Sequence, residues 1–398
     1  MASRLRNAGL FPAAQATRYL GKLYARPARF QRNFTVLALE SSADDTCAAI
    51  VTSEKKILSN VVFKQHADHQ EFGGIHPTVA IAAHQREMAR VVRRALSEAG
   101  LTVHQIDGIA FTRGPGIGGC LSVGSNAAKT LAAALGKPLI GVHHMHAHAL
   151  TPQLTCEAPP AFPFLTLLIS GGHTLVLVAF SPTSFRLLAT TVDESIGNAF
   201  DKVSRMLKIP WSRTSTGKLI GPGAALEQFA LSPHISIPVD SLPKFTMPLR
   251  SKLAFSFSGL ISHVQRHLAT APEDLTEEAR VGVARAFQRA AVGQLEEKVK
   301  LGLEWCERRD VKVSSVVVSG GVASNLFLRE RLSECLRSFN PEQPLPLLLP
   351  PPHLCTDNAA MIAWASMDRF LRQDYDDYSV ELRSKWDIEE LASGSEGN

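Results

Sequence analysis

Apolar positions along the chain fall into short runs and longer helical stretches, and the same order of runs occurs twice. Residues 35–39 and 47–52 are aliphatic runs separated by the polar stretch Glu40-Ser41-Ser42-Ala43-Asp44-Asp45-Thr46, which predicts two strands joined by a turn. Residues 77–99 repeat apolar positions at helical spacing and end at Gly100, a suitable C-cap. A strand is predicted over 106–112, followed by Arg113-Gly114-Pro115-Gly116-Ile117-Gly118-Gly119, an Ala-rich helix over 122–135 and a strand over 138–142. The second half opens alike, with a strand over 164–169, then Ser170-Gly171-Gly172-His173-Thr174, then a returning strand over 175–180. Residues 193–208 read as helix, 210–223 as a loop rich in Gly, Pro, Ser and Thr, and 277–306 as a long amphipathic helix. A buried strand over 313–318 runs into Ser319-Gly320-Gly321-Val322-Ala323-Ser324-Asn325. A Pro-rich segment, 341–352, leads to Thr356-Asp357-Asn358 and a helix over 358–371, and the acidic, Gly- and Ser-containing tail from 387 reads as disordered.

Each half thus begins with a strand, a turn of small polar residues and a returning strand, with helices later. That is the layout of a duplicated α/β fold with a cleft between two lobes, as in actin, hexokinase and acetate kinase, where such turns meet nucleotide phosphates. The fold class expected is therefore a two-lobed, actin-like (ASKHA) α/β duplication with an inter-lobe nucleotide cleft. The lobes are expected over 35–150 and 151–356, with 357–386 a helical segment returning to the N-terminal lobe and 387–398 a tail.

Charge changes the picture at one end only. Residues 1–34 carry Arg4, Arg6, Arg18, Lys22, Arg26, Arg29 and Arg32 and no acid, so removing these seven charges from the net +5 leaves −2 for the rest. An Arg-rich, acid-free start reads as a mitochondrial presequence, or alternatively as a basic arm that binds nucleic acid. No run of eighteen apolar residues predicts a membrane span. The six cysteines form no CxxC pair and read as free thiols in a reducing compartment.

Four constellations could carry chemistry. In Gly141-Val142-His143-His144-Met145-His146-Ala147-His148, His144 and His148 are four apart and share a helix face, which suits two imidazoles on one metal ion. Met145 stands where the HExxH proteases place their Glu base, so that mechanism is excluded. The alternative is a His-rich helix start whose rings are solvated or hydrogen-bonded. A third ligand is needed, and Asp357, in a turn before a helix, is a candidate. The paired Ser-Gly-Gly turns at 170–172 and 319–321 suit phosphate binding through exposed amides, or are ordinary strand-end turns. The 113–119 segment lacks the ending of a Walker loop and suits either an anion at the next helix N-terminus or a tight turn. Ala199-Phe200-Asp201-Lys202 alone reads as a surface pair.

Together, and in this order, these segments resemble the TsaD family of tRNA threonylcarbamoyltransferases, once called O-sialoglycoprotein endopeptidases. With the basic leader, the resemblance is to its mitochondrial members. It covers about 35–371, nearly the whole body. The resemblance implies transfer of the threonylcarbamoyl group from threonylcarbamoyl-AMP to the exocyclic amine of adenosine 37, in mitochondrial tRNAs reading codons that start with A, in the matrix. It implies one divalent cation per subunit (zinc, iron or magnesium) on His144, His148 and Asp357. It implies adenylate contacts from Ile169, Ser170, Gly171, Gly172, His173, Asp201, Gly223, Glu227, Ser324, Asn325 and Thr356. Glu40, Asp44 and Asp45 are the nearest acid–base candidates by motif, and Glu40 and Asp44 are put forward as catalytic. Partners are tRNA and, functionally, the enzyme that makes the adenylate; the protein is expected to be a monomer or homodimer without membrane insertion. Because the body is near neutral, the tRNA surface must be a local patch, with Arg213, Lys218, Arg250 and Lys252 as candidates. Two departures stand out: His146 occupies a position where bacterial members often have Glu, and 209–223 lacks the usual Tyr-Pro-Gly-Gly form. The competing readings are an ATP-dependent phosphotransferase on the same fold and a non-catalytic, nucleotide-gated tRNA-binding module.

Overall fold

The computed structural model describes residues 33–392 except 73, 214–218 and 273. The basic leader therefore lies, up to residue 32, outside the described residues. The first sheet contains β1 (Thr35–Glu40), β2 (Asp45–Thr52), β3 (Ile57–Lys64), β4 (Gly108–Gly114) and β5 (Leu139–His143), in the order β3-β2-β1-β4-β5. Interleaved with them are α1 (His66–His69), α2 (Pro77–Ala99), α3 (Gly118–Leu135) and, after β5, α4 (His144–Thr155). The second sheet begins with β6 (Phe164–Ile169), β7 (Thr174–Ala179) and β8 (Phe185–Thr190). Next come α5 (Ile196–Met206), a small hairpin of β9 (Ser212–Arg213) and β10 (Leu219–Ile220), α6 (Pro222–Leu231), α7 (Ser258–Ala269) and α8 (Glu277–Glu307). The chain closes with β11 (Val316–Ser319), α9 (Leu326–Phe339), β12 (Leu347–Leu348), α10 (Pro352–Cys355) and α11 (Ala359–Arg372).

The order of the second sheet is β12-β11-β6-β7-β8. In both sheets three antiparallel strands (β1–β3, β6–β8) are followed by two that join parallel to the first of them (β4 and β5, β11 and β12). The two halves therefore share one topology, and the actin-like duplication is present.

Both sheets are covered on two faces, which is why their strands read as continuous apolar runs. In the first, Leu37, Leu39, Ala48 and Ile50 pack on Met88, Val91 and Ala95 of α2 and Ala128 and Ala132 of α3. The alternate residues Val36, Ala38, Ala49 and Val51 pack on Met361, Ile362 and Phe370 of α11 and Ala147 of α4. In the second, Leu165, Leu167, Val176 and Val316 pack on helices α5 to α9, and Leu168, Leu177 and Val317 pack on Met145, Ala149 and Leu150 of α4. Helix α4 thus lies between the two sheets and is buried on nearly every side, as its lack of a polar face requires.

The structure differs from the sequence reading in several elements. Strands β3 and β8 and helices α6, α7 and α9 are additional, and the Ala-rich helix starts at Gly118, four residues early. The segment read as a loop over 210–223 contains the β9–β10 hairpin and the first turn of α6. The tail from 387 is not disordered throughout: Ile388–Leu391 forms a 3-10 turn, because Ile388 is buried under the second sheet and Glu389 Oε1 accepts Leu187 N–H at 3.1 Å. Residues 393–398 lie outside the described residues. No described helix is long and apolar enough to cross a membrane, and all six cysteines are free.

The second Ser-Gly-Gly turn illustrates a true glycine requirement. Gly320 has φ +99°, and a Cβ there would sit 2.2 Å from Ile169 O on the neighbouring strand. Gly320→Ala is expected to lower stability by about 2 kcal/mol or more, since the backbone and the clash are both unfavourable. A urea midpoint equal to that of the parent would contradict this.

Candidate active site

The four histidines at the start of α4 divide into two pairs with different duties. His143 is the N-cap: its Nδ1 accepts the N–H groups of Met145 and His146 at 3.1 and 3.3 Å, and its Nε2–H donates to Trp386 O at 3.1 Å. Those partners require the neutral ring, and burial drives its pKa down to about 3. His146 donates from Nε2 to Pro182 O at 2.6 Å, and burial lowers its pKa to about 4. Backbone partners therefore account for both.

His144 and His148 face elsewhere, one helical turn apart, with ring centroids 4.8 Å from each other. Asp357 arrives from the α10–α11 turn, where Asn358 caps α11 through Met361 N–H and holds the carbonyls of Thr356 and Leu354. Asp357 Oδ1 lies 3.1 Å from His148 Nε2 and 3.4 Å from His144 Nε2. One donor atom from each of the three residues falls within 4.8 Å of the others. Glu40, at the end of β1, lies behind His144: its Oε2 is 3.0 Å from His144 Nδ1 and also accepts from Thr112 Oγ1, while Oε1 accepts Ser42 N–H. With a cation bound, that carboxylate would keep hydrogen on His144 Nδ1 and leave Nε2 as the ligand atom.

The donor set fits a divalent cation. Glu40 is fully buried and Asp357 is largely enclosed, and burial opposes ionisation of both. His144 nevertheless holds both carboxyls below their ordinary range. Burial disfavours the His144 imidazolium, but Asp357 and Glu40 outweigh it and raise its pKa to about 10. Without metal, then, two enclosed negative charges share one proton's charge. A dication with neutral imidazoles balances them completely.

This cluster forms one end of a cavity of about 610 Å³ between the lobes. Ser170, Gly171, Gly172, His173, Asp201, Gly223, Glu227, Ser324, Asn325 and Thr356 line it, as do Asp44, His144 and Asp357. In the first glycine turn, Ser170 N–H donates to His173 O at 2.8 Å and His173 N–H to Ser170 Oγ at 3.1 Å. Helix α5 starts close beneath, where a Cβ on Gly197 would meet Ser170 O at 2.5 Å. Gly171 and Gly172 face open space. Asp201 Oδ1 accepts Gly223 N–H at 2.8 Å, and burial lifts its carboxyl to about 6. Glu227 Oε1 accepts Leu326 N–H at 2.7 Å, and burial raises its pKa too. Across the cavity, burial together with Asp45 and Asp357 raises Asp44 to about 7.

Three expected residues lie behind the walls. The Ile169 side chain is wholly in the core, so it contributes backbone only. His148 is fully buried and reaches the site through Nε2 alone. Glu40 has both oxygens engaged, one of them at His144 Nδ1, and does not line the cavity. The sequence reading missed Lys64, whose Nζ pairs with Asp45 Oδ2 at 3.0 Å, and Trp211, which faces His66 across the cleft mouth with centroids 6.1 Å apart. Lys64 ends a strand that went unrecognised, and Trp211 sits in the segment read as loop.

A profile of the TsaD family, described as tRNA N6-adenosine threonylcarbamoyltransferase, matches residues 56–364. The chain belongs to the TsaD family. It is 37% identical, over 95% of its own length and 80% of the other's, to the probable mitochondrial tRNA N6-adenosine threonylcarbamoyltransferase of Arabidopsis thaliana. It is 39% identical to the tRNA N6-adenosine threonylcarbamoyltransferase of Brucella ovis, over 90% of this chain and 96% of that one. Two solved structures share the fold at 14% identity. HypF of T. kodakarensis has a TM-score of 0.53 over 87% of this chain and 49% of its own. Component A of the (R)-2-hydroxyglutaryl-CoA dehydratase of Acidaminococcus fermentans has 0.50 over 84% and 98%. Within the TsaD chain described here, Glu40→Gln is expected to weaken divalent-metal affinity by about 10- to 100-fold, because the ligand His144 loses its orienting carboxylate. Metal retained against a competing chelator measures this, and unchanged retention would remove the positioning role.

Proposed function

We propose that this protein transfers the threonylcarbamoyl group from threonylcarbamoyl-AMP to N6 of adenosine 37 in mitochondrial tRNAs that read codons starting with A, releasing AMP, in the mitochondrial matrix. The observation that carries this reading is a single cavity with a His2Asp cation site at one end and strand-end glycine turns and carboxylates along its wall. Two imidazoles favour zinc or iron over magnesium, which prefers oxygen ligands. When bound, the cation would supply Lewis-acid stabilisation for charge on the departing phosphate and the reacting carbonyl.

The chain's own residues account for the rest. A C–N bond forms between the amine and the carbamoyl carbon, the C–O bond to phosphorus' bridging oxygen breaks, and AMP leaves. One amine proton must also depart. Asp44, which lines the cavity with His144 and Asp357, is the base we assign; burial pushes its carboxyl up, which makes it basic enough to accept the proton. Gly171 and Gly172, open to the cavity, let phosphate approach the backbone. Asp201 and Glu227 accept hydrogen bonds from ribose or base. His173, kept neutral by burial with a pKa of about 4, adds no competing positive charge. Because the amine is a weak nucleophile, positioning provides much of the acceleration.

Purified protein with tRNA transcript and threonylcarbamoyl-AMP should yield modified nucleoside and AMP, and His144→Ala should abolish product while leaving the far-ultraviolet circular dichroism unchanged. ADP formation from ATP with a small acceptor would favour the phosphotransferase instead, and full activity of the variant would remove the metal assignment. A pH series isolates Asp201. As pH falls through about 6, its carboxylate is protonated, so AMP affinity should drop from pH 7 to 5. Asp201→Asn should bind AMP more weakly at pH 7 and show a flatter profile. Parallel profiles for the two proteins would sink that role.

A further inference from the structure

A second cavity, of about 470 Å³, lies on the C-terminal lobe between segment 239–250 and α8. Its floor is apolar, with Leu242, Phe245, Met247 and Ala290. Its lining includes three cations, Lys244, Arg250 and Arg289, and no carboxylate. All three are exposed, and none forms a salt bridge with a described residue. Three exposed cations beside apolar side chains, with Glu297 acting on Arg250 from outside the lining, suit a flexible polyanion that also carries flat apolar rings, which is the chemistry of single-stranded RNA.

The backbone around Arg250 is fixed in a conformation its own residues disfavour. Leu249 and Ser251, on either side, have φ of 51° and 59°. A fully buried lysine secures both: Lys298 Nζ donates to Leu249 O at 2.7 Å and pairs with Glu297, which accepts Ser251 N–H at 3.0 Å. Arg250 is thereby presented from a clamped turn. The same segment leads to the cleft. Phe255 pairs with Thr191, Asp193 accepts the N–H groups of Phe257 and Ser258, and Ser195 donates to Gly171 O in the first glycine turn. A substrate spanning groove and cleft would therefore lie along one continuous framework.

We propose that this groove binds an unpaired stretch of the substrate tRNA, with phosphates on Lys244, Arg250 and Arg289 and a base over Phe245 and Met247. The proposal rests on the tRNA reading given above. The test uses the full protein with tRNA transcript, and compares the parent, Arg250→Ala/Arg289→Ala, Arg250→Lys/Arg289→Lys and a control pair on the same lobe, Arg308→Ala/Lys312→Ala. The first variant should weaken tRNA binding about tenfold and reduce the slope of log affinity against log salt by about 1.4, two single-strand phosphate contacts at about 0.7 each. The lysine pair should restore most of the slope, and AMP binding and metal content should be those of the parent. Unchanged affinity and slope in the alanine pair, or an equal loss in the control pair, overturns the groove. A parent protein that neither binds nor modifies tRNA overturns the tRNA reading itself, and the groove proposal with it.

Discussion

Two enclosed carboxylates, Glu40 and Asp357, have imidazoles as the positive groups that act most strongly on them. Each reaches His144, one at Nδ1 and the other at Nε2. Isolated, such charges are costly to bury, so the three chain segments that bring them together must be held firmly in place. They are: β1 is a central strand, α4 is enclosed by both sheets, and the Asp357 turn is fastened by Asn358. The cleft follows from this meeting point, because the turns that line it are the ends of strands already fixed in the same core.

The glycines of the cleft divide by cause. Gly320 and Gly197 are required by packing, since a Cβ at either would collide with the carbonyl of a residue in or next to the first turn. Gly171 and Gly172 meet no such obstacle; space around their would-be side chains is open. Packing does not demand glycine there, and the open backbone is what the proposed phosphate contact would use. The two Ser-Gly-Gly turns look alike in sequence but differ in how closely their first glycines are packed.

Much of this was legible in the sequence. The repeated strand–turn–strand order identified the duplication because strands buried on two faces announce themselves as apolar runs. The His144–His148 spacing identified one helix face, and Asp357 was accessible from its place before a helix. What was not legible has local reasons. In strand β3 the pair Ser59-Asn60 splits the apolar residues into Ile57-Leu58 and Val61-Val62-Phe63, so no single continuous run marks it. Helix α7 begins at Phe257 without a capping side chain, and the cap of α9, Asn325, lies in the segment read as a glycine turn. Glu40 is indistinguishable by sequence from a catalytic acid; only its bonds to Ser42, Thr112 and His144 show that it is occupied. The surplus histidines were equally opaque, because their partners, Trp386 O and Pro182 O, are remote carbonyls.

Of these carbonyls, Trp386 O belongs to the segment that follows α11. Asp376 N–H donates to Leu139 O on the first sheet, Arg383 N–H to Arg113 O, and both arginines stack on the Trp386 ring at 5.3 and 4.9 Å. Trp386 O then receives His143, and Ile388 enters the core beneath the second sheet. One extended segment thereby ties both sheets to the cap of the metal-site helix. Gly114 marks how tightly it lies, since a Cβ there would fall 1.8 Å from Arg383 O. The helix that carries His144 and His148 thus has, besides its packing between the sheets, a bond at its cap to a strap that touches neither histidine.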